Sequence, residues 1–176
     1  MVENFGFEIE SVNLSNLIRK SKKLKSLPET ITDAGIYLSD FKKLQKIIEK
    51  RISEILFKKN LIASDYFLCS IYIANLISET VKNPPKSWYS IDYIFEIKDE
   101  DDYLPWKRAG DVCFLICSVF VGRSNRRIMR TDDYVAMGRS FYSNYYRKGN
   151  KEIGYMMSNK YMPMMHITRE ALKKPF

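Results

Sequence analysis

An aspartate lies alone in the most apolar stretch of this chain. Asp111 is embedded in Gly110-Asp111-Val112-Cys113-Phe114-Leu115-Ile116-Cys117-Ser118-Val119-Phe120-Val121, and Arg123, Arg126, Arg127 and Arg130 follow directly. A carboxylate in such surroundings has two uses. It can act as a general base in a pocket, with Tyr134 or Tyr142 beside it. Or it can be an internal anchor, satisfied by an arginine such as Arg127 or Arg139 and by a tyrosine hydroxyl. A buried charge left unpaired is strongly destabilising, and the arginine loop supplies guanidinium groups close by in sequence. The anchor is the preferred reading, with the arginine drawn from 123–139.

Other reactive combinations are sparse. Cys113 and Cys117 sit one helical turn apart, and His166 is the single histidine. A structural zinc site needs a full tetrahedral set of N or S ligands, commonly from cysteine pairs in loops, so no metal site is expected. Cys69 or Cys117 with His166 is formally a nucleophile–base pair. Reactive thiols, however, need an electropositive and accessible setting, and these lie among Phe, Leu and Ile. There is no Gly-x-Ser-x-Gly elbow, no phosphate-cradling glycine loop and no His-Glu-x-x-His. No catalytic residue and no cofactor is assigned from motifs. An odd number of cysteines, all inside apolar runs, points to reduced thiols and a cytoplasmic chain rather than a disulfide framework.

Two features suggest binding instead. The net charge is +8 over 176 residues, unevenly spread: +4 over 1–60, −5 over 61–104 and +9 over 105–176. In the last third, Arg123, Arg126, Arg127 and Arg130, with Arg147, Lys148 and Lys151, form a candidate anion-binding set, interleaved with Tyr145, Tyr146 and Tyr155. The tail also carries Met156, Met157, Met162, Met164 and Met165 with Tyr155 and Tyr161. Methionine adapts to irregular surfaces and is common at promiscuous interfaces.

The elements that must hold these residues read as helices. Glycine and proline are few, 7 and 6, and the apolar spacing is long-range and helical rather than alternating. The chain is expected to be one all-α domain over 1–176, a bundle of about six to eight helices with an irregular start to about residue 12. A short helix after Asn13 or Ser15 carries Leu14, Leu17 and Ile18, and another begins near Pro28-Glu29 with Ile31, Ala34 and Leu38. From about Ser39 to Phe57, Phe41, Leu44, Ile48, Ile52 and Ile55 fall on one face and Lys42, Lys46 and Lys50 on the other. Ser64 is expected to cap a helix to Lys82, apolar over more than half its circumference and therefore central. Residues 88–97 read as either a short helix or an extended segment. Pro105 opens a helix to about Val121, with Lys107, Asp111 and Ser118 its only polar strip and Gly122 its stop. Thr131, Asp132 and Asp133 cap a helix to Lys148, stopped by Gly149, with Tyr134, Met137, Gly138, Phe141, Tyr142 and Tyr145 on one face. Two further helices, 150–160 and 164–174, are expected to be separated at Met162-Pro163. Gly138 is expected to allow close contact with Gly110 where their helices cross. No run reaches the length needed to span a bilayer, and the N-terminus has no signal-peptide pattern.

Gly110-Asp111, Ser118-Val119-Phe120, the arginine loop, Asp133-Tyr134 and Gly138-Arg139-Ser140-Phe141-Tyr142 together resemble a pattern in uncharacterised bacterial all-helical proteins: a Gly-Asp helix, a basic loop, then Asp-Tyr-Tyr and a Gly-x-x-x-Tyr helix. Here the Asp-Tyr-Tyr position reads Asp132-Asp133-Tyr134, a partial match. The resemblance covers 105–146 and implies no catalytic role, because that family has no assigned activity. It implies that Asp111, Tyr134, Gly138 and Tyr142 form one structural unit, beside which Arg139 falls.

The function expected from these residues is a non-catalytic helical module that binds a protein partner or its own copies, with no membrane contact. The alternative is a nucleic-acid-binding protein that uses the basic C-terminal third. A third reading is an enzyme with Asp111 as general base.

Overall fold

The computed structural model describes residues 31–120 and 129–173, with side chains from Lys42 onward. The expected N-terminal helix at Leu14–Ile18, the Pro28-Glu29 turn, the side chains of Ile31, Ala34, Leu38 and Phe41, and Gly122, Arg123, Arg126 and Arg127 lie outside the described residues. Among the described residues the chain is all-helical. The six helices are α1 (Ile31–Lys58), α2 (Ser64–Lys82), α3 (Ser90–Ile94), α4 (Leu104–Ser118), α5 (Thr131–Gly149) and α6 (Glu152–Leu172). None of them is long and apolar enough to cross a membrane.

Local chemistry accounts for most boundaries. In α1, Ile48, Ile52, Ile55 and Leu56 are buried and Lys42, Lys46 and Lys50 are exposed, as the amphipathic spacing requires. The helix is longer than expected, continuous from Ile31 with no break near Ser39. It ends in a Schellman-type turn. Asn60 takes the left-handed position at φ 56°, and the Leu61 N–H donates to the Leu56 carbonyl at 2.9 Å. At α2, Ala63 is the residue before the helix and Ser64 its first, so the expected serine cap does not form. Pro105 lies in the first turn of α4, where its missing N–H costs nothing. At α5, Asp133 reaches back to accept the Arg130 backbone N–H at 2.9 Å, the role sequence shared among Thr131, Asp132 and Asp133. The left-handed stop after α5 is Asn150 at φ 49°, not Gly149. Gly149 is small for another reason: a Cβ there would fall 2.6 Å from the Tyr103 ring.

Packing revises two expectations. The helix at the centre beside α4 is α6, not α2. Helix α6 packs extensively on α1, α2, α4 and α5, whereas α2 packs chiefly on α1 and α6 and reaches α4 and α5 through Tyr72. The Leu68 and Ile71 side chains of α2 remain 46% exposed, so that helix is one-sided. Helix α6 is also a single rod that runs through Pro163. An interior proline removes one backbone bond and crowds the preceding turn, costing about 3 kcal/mol. Burial on both sides of it offsets that cost: Met157 and Tyr161 before it, and Met164, Met165 and Ile167 after it, are in the core. Met157, Met164 and Met165 of the tail therefore fill the interior, while Met162 and Tyr155 remain exposed.

Helix α4 is buried continuously from Ala109 to Ser118. Its polar groups are satisfied internally. The Ser118 hydroxyl donates to the Phe114 carbonyl at 2.7 Å, and Arg169 Nε of α6 donates to the Cys117 carbonyl at 2.7 Å. The second bond closes one of the orphan carbonyls at the end of α4.

Candidate functional site

Asp111 is buried on α4 and is the junction of three helices. Tyr72 of α2 donates its hydroxyl to Asp111 Oδ1 at 2.5 Å. Tyr142 of α5 donates to the same oxygen at 2.7 Å. Lys107, one turn earlier on α4, donates from Nζ to Oδ2 at 2.7 Å. The Lys107 ammonium also stands 5.1 Å from the centre of the Tyr72 ring, a cation–π geometry. The Tyr72 and Tyr142 rings meet edge to face at 6.2 Å. Close approach of α4 and α5 depends on Gly110, where a Cβ would come 3.1 Å from the Tyr142 ring.

The electrostatics of the cluster follow from its burial. Both phenols are pushed well above their ordinary range, first by loss of water and then by the negative charge of Asp111. They therefore remain protonated donors, and both carboxylate oxygens stay occupied.

Asp111 is paired neither with Arg130 nor with Arg139, whereas Arg123, Arg126 and Arg127 lie outside the described residues. Its cation among the described residues is Lys107. Arg139 is exposed, donates from Nε to the Ser158 carbonyl at 3.2 Å, and belongs to the α5–α6 seam. Arg130 is exposed and serves α5 through its backbone. Tyr134 is buried on α5 about two turns before Tyr142, but the described hydrogen bonds of Asp111 come from Tyr72, Tyr142 and Lys107. Gly138 does not meet Gly110. Its nearest neighbour is Tyr161 of α6, whose hydroxyl would lie 2.3 Å from an added Cβ. Lys107 was legible in the sequence as the i−4 neighbour of Asp111. Tyr72 carries no sequence signal, since it is one apolar-face tyrosine among several.

The cysteines are buried and form no disulfide. Loss of water raises Cys69 and Cys113 to about 12 and Cys117 to about 11, so none is a thiolate near neutral pH. His166 is exposed on α6. No group of three or more metal-ligating side chains occurs among the described residues. Of the basic set, Arg147, Lys148 and Lys151 are exposed. Tyr145 is in the core, while the Tyr146 and Tyr155 rings meet at 5.4 Å with their planes tilted by 52°.

An open concavity adjoins the Asp111 cluster. It has a volume of about 570 Å³ and lies between α1, α2 and α6, lined by Gln45, Leu68, Ile71, Tyr72, Asn75, Glu152, Ile153 and Met156. Its wall is mostly apolar, and Tyr72 belongs both to that wall and to the Asp111 junction. The apolar residues of α2 cover an arc of more than half its circumference, but a helical wheel does not tell which part of that arc its neighbours cover, and Ile71 is left exposed. Compared with models of protein families, with curated proteins and with solved structures, the chain matches none of them, so the pattern over 105–146 is supported by no family match.

Proposed function

We propose that this chain is a non-catalytic interaction module and that the groove between α1, α2 and α6 is its docking surface. The observation that carries this reading is the pair Leu68 and Ile71, each 46% exposed in a concave apolar setting. Large apolar side chains gathered in an open groove characterise surfaces that receive another apolar segment. The Asp111 cluster supports the same reading from the other side. Its carboxylate is fully engaged by two phenols and an ammonium group, which suits an anchor that sets the position of Tyr72 in the groove wall. A general base needs an oxygen free for substrate.

Ile71→Glu tests the proposal, because it places a charge in the groove at a site that is not part of the core. A protein retained by the wild-type chain counts as a partner only if it binds when purified and fails to bind the folded Ile71→Glu variant. Binding that is indifferent to this change overturns the assignment. The alternative rests on exposed Arg147, Lys148 and Lys151, close in sequence to the Tyr146–Tyr155 ring pair. It predicts retention that disappears with nuclease and weakens steeply with salt, as counterion release requires.

A further inference from the structure

The described helices leave the groove open, and its two ends differ. Helices α1 and α2 are joined by the short turn 59–63 and run antiparallel, so Leu68 lies nearer that turn than Asn75. The Lys160 ammonium stands 5.0 Å from the centre of the Tyr66 ring, so α6 runs from Glu152 toward the same turn. One end of the groove therefore holds Gln45, Asn75 and Glu152, and the other holds Leu68 and Met156. Glu152 is the only charged side chain of the lining. Its basic neighbour in sequence, Lys151, is engaged elsewhere, 5.3 Å from the centre of the Tyr103 ring. The groove thus has an acidic end, on the side from which α1 arrives, and an apolar end toward the turn.

Resting on the groove assignment above, we infer that the segment Asn13–Lys20 of this chain, which lies outside the described residues, covers the groove in cis and that a partner must displace it. Leu14, Leu17 and Ile18 have the spacing of one helical face, and Arg19 and Lys20 follow them. An apolar groove between helices receives a helix of that pattern. Reach permits the contact. From Ile31 to Gln45, α1 rises about 21 Å, and residues 19–30 in extended form span about 40 Å. Tether and charge give the same orientation independently. A chain returning from Ile31 enters at the Gln45 end, which sets Arg19 and Lys20 beside Glu152 and carries Leu17 and Leu14 on toward Ile71 and Leu68. The reverse orientation would place both cations at the apolar end. A segment tethered this closely meets the groove at an effective concentration in the millimolar range, without any second molecule.

The experiment measures uptake of a labelled synthetic peptide of residues 11–25 by the full chain, read by fluorescence anisotropy. Wild type, Leu17→Glu, and Leu17→Glu combined with Ile71→Glu are compared, each shown to be folded by circular dichroism and a thermal melt. Leu17→Glu is expected to release its own segment and to take up the peptide at least about tenfold more tightly than the wild type, as for a groove otherwise covered about nine-tenths of the time. Adding Ile71→Glu is expected to abolish uptake. Oxidative trapping locates the contact, since the buried native thiols do not compete. Leu14→Cys with Leu68→Cys is expected to close within one chain, at a rate independent of protein concentration. Leu14→Cys with Tyr89→Cys, an exposed position off the groove, is expected to close more slowly. Equal uptake by wild type and Leu17→Glu overturns the inference, and so does no uptake by either, or trapping at Leu68 no faster than at Tyr89. Disulfides that form only between chains overturn it too, because the occupant then comes from a second copy. If the inference fails while an outside partner still binds in an Ile71-dependent way, the groove assignment survives and Asn13–Lys20 is the wrong occupant. If Ile71→Glu alters neither the peptide nor any partner, both fail.

Discussion

Replacing Asp111 by asparagine removes the charge at the helix junction while keeping its shape. Two bonds, from half-buried Tyr72 and buried Tyr142 at 2.5 and 2.7 Å, change from charge-assisted to neutral. That change is worth about 1 kcal/mol each. The amide also turns a donor toward the Lys107 ammonium, which now stands 2.7 Å from Oδ2. Lys107 is 31% exposed at its side chain and can turn to water, so losing that partly buried pair adds about 1 kcal/mol. The expected total is about 2–4 kcal/mol, a large part of the roughly 5–15 kcal/mol typical of a whole domain. In a chain of this length each kcal/mol lowers the melting temperature by about 2–4 °C. Urea denaturation is the suitable assay, with the midpoint falling and the slope unchanged. A double-mutant cycle with Tyr142→Phe locates the effect, with a coupling of about 1 kcal/mol expected between residues in direct contact. A variant within about 0.5 kcal/mol of wild type, or a strictly additive cycle, refutes the junction. Asp111 would then be available for another task.

Three further outcomes follow from the packing. Folded-state values raised above the unfolded ones mean that the native state holds its protons longer. The Cys and Tyr contribution is therefore complete below about pH 9 and is lost as pH rises, first through the thiols and then the phenols, at about 1.4 kcal/mol per pH unit for each group; alkaline titration of the urea midpoint checks the slope, and a midpoint flat to pH 11 contradicts it. Gly154→Ala should destabilise more than Gly110→Ala. Its Cβ would meet the Tyr142 backbone carbonyl at 2.7 Å, whereas at Gly110 a ring at 3.1 Å can yield; paired thermal melts decide the order, with about 1–3 kcal/mol expected for the first. Pro163→Ala should stabilise by about 1–3 kcal/mol, since α6 is already continuous there and regains a backbone donor; a lower melting temperature would show that the ring makes packing contacts worth more than the lost bond.

Much of this fold is legible in the chain because helix signals are local. The spacing of Ile48, Ile52 and Ile55, the start at Ser64 and the stop after Lys82, and the acids ahead of Tyr134 act within a few residues of one another, and each element they specify is present. The burial of Asp111 is equally local, since apolar neighbours on every side of a helix leave a side chain no route to water. What the groups on different helices do to one another is not local. Asp111 takes Lys107 and two tyrosines because α2 and α5 deliver Tyr72 and Tyr142 to that point, while Arg139 on α5 faces Ser158 on the α5–α6 seam. Helix α6 passes through Pro163 because four neighbouring helices bury the residues on both sides of it, a gain no local propensity records. Gly138 answers to Tyr161, and Leu68 and Ile71 are left facing water, for the same reason. Sequence alone determined that the chain is helical and which faces of its long segments are apolar, because backbone bonding and periodicity belong to a single segment. Only the tertiary structure decided which of those faces are covered and which remain open, because covering a face requires several segments to bury one another at once.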